Sequence, residues 1–280
     1  MFVSDQRSNQ AKPGDSQPMV FEHSTAAQRV LFGSDKAGEF LAAELERLGS
    51  TRPMIITGGS AEQAARDITA QLEPGLWWNE VVQHVPVELA EKARAAASDA
   101  KVDALVTVGG GSTIGLGKAV ALTSGLPLIA VPTTYAGSEA TDMWGLTENR
   151  TKTTGLDPKV LPVTVIYDAA LSRSLPVGLS VASGLNGMAH CVDSLWAPKA
   201  DPINRTFALE GARAWQLPCV ASRLIRMTCA PARWRCTAAT LQRCPSRRPA
   251  PGCTTRLRTY WAGRSTSRTR RSTRPSCPTF

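Results

Sequence analysis

The stretch Ala104-Leu105-Val106-Thr107-Val108-Gly109-Gly110-Gly111-Ser112-Thr113-Ile114-Gly115-Leu116-Gly117-Lys118-Ala119-Val120-Ala121-Leu122 decides how this chain folds. Residues 104–108 are apolar and rich in β-branched side chains, which reads as a short buried strand. Three glycines then stop the strand and let the backbone come close to whatever sits above the turn. A helix follows, with Ser112 or Thr113 placed to cap it. Unpaired backbone N–H groups and the positive end of a helix dipole then converge on one spot, a seat for a phosphate or pyrophosphate. A Walker phosphate loop is excluded: Ala119 rather than Ser or Thr follows Lys118, and Ser112 stands where that motif's first glycine belongs. Nor is the spacing a clean G-x-G-x-x-G, so the turn alone leaves open both a nucleotide phosphate and a merely tight strand-to-helix turn.

The same alternation recurs on both sides. Residues 20–33 can supply a strand and turn, and residues 35–48 carry Ala37, Phe40, Leu41, Leu45 and Leu48 at helical spacing. Pro53-Met54-Ile55-Ile56-Thr57 reads as a strand ending at Gly58-Gly59-Ser60; a helix over 61–72, a short strand near 80–85 and a helix over 87–100 follow. Pro127-Leu128-Ile129-Ala130-Val131-Pro132 is the next strand and runs into Thr133-Thr134-Tyr135-Ala136-Gly137-Ser138-Glu139. Val163-Thr164-Val165-Ile166-Tyr167 makes a further strand, ended by Asp168, with a short helix or turn over 171–174. Strands alternating with helices of this length specify an α/β fold with an open parallel sheet covered on both faces. Ligands on such sheets bind beyond the carboxyl ends of strands, where Gly58-Gly59, Gly109-Gly110-Gly111 and Thr133-Thr134 would all lie. Three such turns on one edge favour a dinucleotide. Further on the pattern is helical only, and Asn186 and His190, four apart, share one helix face. From spacing alone a lone helical histidine is more often structural than catalytic, and both readings stand.

At 280 residues the chain has room for one large domain or two smaller ones. Its net charge of +9 would suggest nucleic acid or an acidic surface as partner, were it evenly spread. It is not: residues 216–280 hold 14 Arg and no Lys, Asp or Glu, whereas residues 1–215 carry 18 basic and 23 acidic residues. Cysteine divides in the same way, with Cys191 alone in the first part and Cys219, Cys229, Cys236, Cys244, Cys253 and Cys277 in the tail at spacings that fit no zinc pattern. No apolar run approaches the ~20 residues of a membrane span, and the N-terminus lacks the apolar centre of a secretory signal. The expectation is a cytoplasmic protein with residues 1–19 disordered and Met19 as an alternative start.

Four separated motifs resemble the iron-containing alcohol dehydrogenase superfamily and, within it, the maleylacetate reductases. They are Gly109-Gly110-Gly111-Ser112; Pro132-Thr133-Thr134-Tyr135-Ala136-Gly137-Ser138-Glu139-Ala140-Thr141; Lys152 followed by Asp157-Pro158-Lys159-Val160-Leu161-Pro162; and Gly184-Leu185-Asn186-Gly187-Met188-Ala189-His190. The resemblance runs over residues 20–214. It implies a Rossmann-like nicotinamide-nucleotide domain over 20–160, then an all-helical domain that begins over 161–215 and is incomplete here, with the active site between them. By resemblance, Gly110, Gly111 and Ser112 hold the pyrophosphate, Thr133 and Thr134 lie near it and the nicotinamide half, and Lys152 approaches the nicotinamide ribose. His190 and Asn186 become catalytic candidates. The family's metal-binding members carry Asp where this chain has Asn186, as the maleylacetate reductases do not, and a neutral amide replaces a carboxylate poorly on a divalent cation, so no metal is expected. The implied reaction is reduction of maleylacetate, and of chlorinated forms of it, to 3-oxoadipate by NADH or NADPH in aromatic or chloroaromatic degradation. The implied partners are a small dicarboxylate substrate and, for an intact member, a second copy in a homodimer, with no membrane and no nucleic acid. A metal-dependent alcohol dehydrogenase of the same superfamily is the alternative.

The tail departs from that resemblance. The family's further histidines should lie downstream, yet His23, His84 and His190 are the three in the chain. After Gly211-Ala212-Arg213-Ala214 the sequence turns into a mixture of Arg, Cys, Ser, Thr and Pro, which reads as the product of a one-base loss near codon 215, and as a disordered segment over 216–280. Read in another frame, the tail can encode histidine-containing segments. The competing reading is an arginine-rich nucleic-acid-binding segment with Trp234, Tyr260 and Trp261 as stacking side chains; the absence of lysine, repeat or recognisable module disfavours it.

Overall fold

A computed structural model of the chain describes residues 19–198 and 200–221, with side chains described up to Trp215. Six parallel strands form the central sheet: β1 (Arg29–Phe32), β2 (Pro53–Thr57), β3 (Leu76–Trp78), β4 (Ala104–Gly109), β5 (Leu128–Pro132) and β8 (Thr164–Tyr167). Their order is β1-β8-β5-β4-β2-β3. Every residue of β2, β4, β5 and β8 is buried, which is why these segments read as continuous apolar runs rather than as alternating ones.

Helices cover both faces. Helices α3 (Val87–Asp99) and α4 (Gly111–Ser124) bury Leu89, Ala93, Leu116 and Val120 against Met54, Ile56 and Leu105. On the other face α1 (Ala37–Leu48) and α2 (Glu62–Ile68) bury Leu41, Leu45 and Ala65 against Ile55, Val106, Val108, Ile129 and Ile166. Asp168, at the end of β8, accepts the N–H groups of Asp35, Lys36 and Ala37 and so caps α1 from across the sheet. From β2 the chain moves outward to β3, then returns to the other side of β2 for β4, β5 and β8. The direction of winding therefore reverses between β2 and β4, the place where open α/β sheets bind ligands.

Four details differ from the sequence reading. The third strand is Leu76–Trp78 rather than near 80–85, because these residues pair with Met54, Ile55 and Ile56; His84 and Val85 instead adopt φ of 66° and 45°. Helix α2 ends at Ile68, where the Thr69 hydroxyl donates back to the Ala65 carbonyl. An antiparallel hairpin of β6 (Met143–Glu148) and β7 (Thr151–Leu156), unforeseen, turns at Asn149-Arg150, both at positive φ. Because β8 pairs with β5 and β1, the α/β unit reaches at least Tyr167 rather than stopping at 160.

Two helices complete the described chain, α5 (Val177–Leu195) and α6 (Pro202–Ala221). Asp201 accepts the N–H groups of Ile203 and Asn204 at the start of α6 and pairs with His23 at 3.1 Å, tying the first described segment to the helical part. Helix α6 continues in its backbone past Trp215 to Ala221. The expected disorder of the first residues and of the tail falls, for residues 1–18 and 222–280, outside the described residues. No helix among the described residues is long and apolar enough to cross a membrane.

Candidate functional site: the glycine turn at the sheet reversal

Strand β4 delivers the chain to Gly109, whose φ of 155° favours glycine and where a Cβ would lie 2.5 Å from Thr113 Oγ1. Gly110 is extended, and α4 starts at Gly111. The expectation that Ser112 or Thr113 caps this helix is not met: the N-cap position is Gly110, with no side-chain cap bond. The first helical bond runs from Ile114 N–H to the Gly110 carbonyl, 3.1 Å. The preceding N–H groups of Gly111, Ser112 and Thr113 thus belong to the helix's uncommitted first turn, and a bare turn of this kind is an anion seat.

The neighbouring turns wall this seat. Thr133 N–H donates to the Gly109 carbonyl at 3.0 Å, which locks the loop after β5 to the turn after β4. A Cβ on Gly110 would stand 3.1 Å from Thr134 Cγ2, and one on Gly111 would stand 3.2 Å from Ala136 Cβ. From β2, the Cβ position of Gly58 is 3.6 Å from Thr113 Oγ1. Ser138 Oγ lies buried 3.9 Å from the Cβ position of Gly111, with no hydrogen-bond partner among the described residues. Deeper along α4, a Cβ on Gly117 would collide with Thr107 Cγ2, so that glycine lets the helix lie against β4. Gly110, Gly111, Ser112, Thr133 and Thr134 therefore lie together at one edge of the sheet.

Lys152 sits elsewhere, on the exposed strand β7, and its side chain crosses Gly145 on β6, whose Cβ position is 2.9 Å from Lys152 Cε. Asn186 and His190 are exposed on one face of α5, while Gly184, Gly187 and Cys191 form its buried face. That buried face packs with Tyr135 and Trp215, and the Ser180 hydroxyl donates to Tyr135 Oη at 3.3 Å. The residue next to Thr134 thus anchors the helix that carries Asn186 and His190.

Sequence reasoning passed over a polar network beneath the turn. Lys118, 1% exposed, donates from Nζ to the Thr141 carbonyl (2.6 Å), Thr141 Oγ1 (3.1 Å) and the Met143 carbonyl (2.9 Å). Burial pushes its pKa down to about 8, against the opposing charges of Glu139 and Asp142. Glu139 is fully buried, and burial raises its carboxyl above the usual range despite hydrogen bonds that include one from Tyr167 Oη at 3.0 Å, and despite the Lys118 charge. Its other oxygen has no hydrogen-bond partner among the described residues. The available signal was a single lysine inside the otherwise apolar helix Ile114 to Leu122.

The chain matches the family model described as iron-containing alcohol dehydrogenase over residues 27–169. It is 44% identical over 209 residues to a maleylacetate reductase from Pseudomonas sp. (strain P51), covering 73% of this chain and 59% of that protein. Among solved structures, an iron-containing alcohol dehydrogenase from Corynebacterium glutamicum superposes with a TM-score of 0.78 at 51% identity, covering 82% of this chain and 65% of that one. Maleylacetate reductase from Rhizobium sp. strain MTP-10005 superposes with a TM-score of 0.80 at 36% identity, covering 88% and 71%. The six-stranded parallel sheet with its glycine turn defines a doubly wound α/β class, and the chain belongs to the iron-containing alcohol dehydrogenase family. It spans 59% of the length of the Pseudomonas relative.

The family's description carries iron, so the comparison lends no support to a metal-free site. The donor chemistry of the described residues does not fit that ion: Asn186 and His190 offer one neutral amide and one imidazole, and no group of three or more His, Cys, Asp or Glu side chains converges among the described residues.

Proposed function

We propose that this chain carries the cofactor-binding half of a cytoplasmic maleylacetate reductase, which reduces the carbon-carbon double bond of maleylacetate to give 3-oxoadipate. Bound NADH or NADPH supplies the hydride. The observation that carries the reading is the uncapped first turn of α4, placed at the reversal of the sheet and walled by Thr134 and Ala136. Identities of 44% and 46% to maleylacetate reductases support the substrate class.

In this reading the N–H groups of Gly111 and Ser112, with the Gly110 backbone, hold the pyrophosphate, and Thr133 and Thr134 border it towards the nicotinamide. Lys152 reaches the nicotinamide ribose from the hairpin. His190 polarises the substrate carbonyl and delivers a proton, work for which an imidazole is suited near neutral pH. Asn186 orients the substrate as a hydrogen-bonding amide. A dianionic substrate needs further cationic or donor groups, which in this reading belong to the helical domain of an intact, homodimeric enzyme.

The test is titration of the full chain with NADH and NADPH, followed by a maleylacetate assay. Saturable binding of either cofactor, with turnover far below that of a full-length relative, is the expected result. Absence of binding at millimolar cofactor would refute the reading. Oxidation of simple alcohols that depends on added iron or zinc would favour a metal-dependent alcohol dehydrogenase of the same family instead.

A further inference from the structure

We propose that Lys118 is a positioning residue for the cofactor, fixing the β6–β7 hairpin, and with it Lys152, at a set place relative to the glycine turn. The proposal rests on the nicotinamide-nucleotide reading above.

On the hairpin Leu146 of β6 packs against the core beneath α3 and α4, but β7 contributes almost no buried surface. Five of the six residues of β7 are exposed, and the two strands form a separate two-stranded sheet outside the main one. An element with so little buried apolar surface takes its orientation from specific anchors. Two polar anchors position it relative to the glycine turn, and both lead back to α4. At the start of the hairpin, the ammonium of Lys118 has three hydrogens and three acceptors, all within residues 141–143. Further along, Thr147 N–H donates to the Val85 carbonyl at 3.0 Å and Thr147 Oγ1 to the His84 carbonyl at 2.7 Å. Val85 in turn packs on α4, with its Cγ2 3.0 Å from the Cβ position of Gly115.

Both anchors carry a cost. A fully buried ammonium loses its hydration, and Val85, a β-branched residue at φ 45°, occupies a backbone region that such residues avoid. Strain of this kind persists where the surroundings over-determine it, as they do here between α4 and β6. The geometric result is a rigid unit with two ends. Gly111 opens α4 at the phosphate seat, Lys118 lies seven residues along the same helix, about 10 Å by helical rise, and Lys152 lies on the strand that Lys118 indirectly holds. A helix that both seats the pyrophosphate and fixes the hairpin sets the reach between the phosphate and the ribose beyond it.

The experiment compares NADH with ADP, which shares the adenosine and pyrophosphate but ends before the nicotinamide ribose. Dissociation constants are read from tryptophan fluorescence on the full chain for the wild type, Lys118→Met, Lys118→Arg and Thr141→Val. Amide hydrogen exchange over residues 143–156 is followed in parallel. Lys118→Met should weaken NADH about tenfold while ADP changes less than twofold, with faster exchange in the hairpin; Lys118→Arg, which still donates to carbonyls, should recover most of the loss. Equal weakening of NADH and ADP, or no change in NADH, overturns the proposal. Should Lys118→Met fail to fold, Thr141→Val, which removes one acceptor, is judged by the same NADH-to-ADP ratio. A wild type that binds ADP and NADH equally poorly refutes the cofactor reading itself, and this proposal falls with it; a wild type that binds NADH with unchanged variants refutes this proposal alone.

Discussion

The ring of Tyr135 meets the ring of Trp215 edge on, with centroids 5.7 Å apart and planes at 67°. Tyr135 follows Thr134 in the wall of the glycine turn, and Trp215 comes from α6, where it also stands 3.2 Å from the Cβ position of Gly184 on α5. One aromatic pair thus joins the loop beside the phosphate seat to both helices of the second part, and a methyl at position 184 would press on the indole at 3.2 Å. Trp215→Ala should therefore remove more than surface: large-to-small changes of buried aromatics cost about 3–5 kcal/mol. The expected outcome is a lowered urea midpoint, with the near-ultraviolet dichroism of the Tyr135 environment lost. An unchanged midpoint would mean that the helices are held by something other than this contact.

The clearance at the phosphate seat gives a sharper test. A methyl on Gly110 meets Thr134 Cγ2 at 3.1 Å, tight enough that the neighbour must give way but not a backbone collision. Gly110→Ala should weaken NADH about tenfold, about 1.4 kcal/mol, with a small loss of stability. Adding Thr134→Ser, which deletes the methyl in the way, should restore part of the affinity. Fluorescence titration of the two variants decides it, and failure of the second change to help would place the obstruction elsewhere.

Acid should unfold the chain through carboxylates far from this seat. Partial burial works to raise the Asp103 pKa, but hydrogen bonds from the Ser50 hydroxyl, the Thr51 and Arg52 N–H groups and the Thr51 hydroxyl outweigh it and hold the carboxyl below its ordinary 3.8. For Glu44 burial is likewise outweighed by hydrogen bonds from Arg47 and Thr164 and by the Arg47 and Arg29 charges, leaving it below 4.5. A lowered folded pKa contributes stability that is complete above the unfolded value and is lost as pH falls through the folded one. Glu139 has the opposite sign: its contribution is present below 4.5 and is lost as pH rises. Denaturant midpoints measured from pH 7 to pH 3 should fall most below about pH 4.5. Asp103→Asn should flatten that fall, whereas Glu139→Gln should leave it in place.

How much of this was legible follows from where the information sits. Buried parallel strands announce themselves as unbroken β-branched runs, so Pro53 to Thr57 and the strand after Asp103 were readable residue by residue. So was the placing of Gly110 and Thr134 on one edge, since both follow the carboxyl ends of parallel strands. The β6–β7 hairpin was not readable, because Thr151 to Leu156 is exposed on both faces and carries no apolar alternation to mark a strand. Lys118 was hidden for a related reason: a polar side chain in an apolar helix has meaning only through its acceptors, and Thr141 and Met143 are 23 and 25 residues away. Asn186 and His190 were correctly placed on one helix face, but nothing in their spacing fixes what lies opposite them.

That open face bears on metal binding. If Asn186 is what keeps the α5 pair from serving as half of a divalent site, changing it to a carboxylate should matter more than any other single change there. Zinc or iron titrated into the full chain should bind weakly, and Asn186→Asp should tighten binding about tenfold or more, read by calorimetry after chelator treatment. Equal, tight binding by both chains would show that the metal is held by other ligands and that the amide is no obstacle.

The charge boundary supports a prediction about the gene itself. Up to Trp215 the chain has the mixed charges of a folded α/β protein, and Trp215 packs on Tyr135, yet residues 216–280 contain 14 Arg and no acid or lysine. We propose that a GC-rich reading frame displaced by one base, which readily yields Arg, Pro, Ser and Cys, is the source of that composition. Restoring one base near codon 215 should therefore open a long frame in which Asp, Glu, Lys and His reappear. The repaired protein should reduce maleylacetate, with its new histidines facing the exposed side of α5 where Asn186 and His190 lie, and with activity at least a hundredfold above the present chain, about 2.7 kcal/mol of barrier. Sequencing and assay answer independently: a repaired frame without histidines removes the genetic argument, and an inactive protein from a histidine-bearing frame removes the proposed reaction.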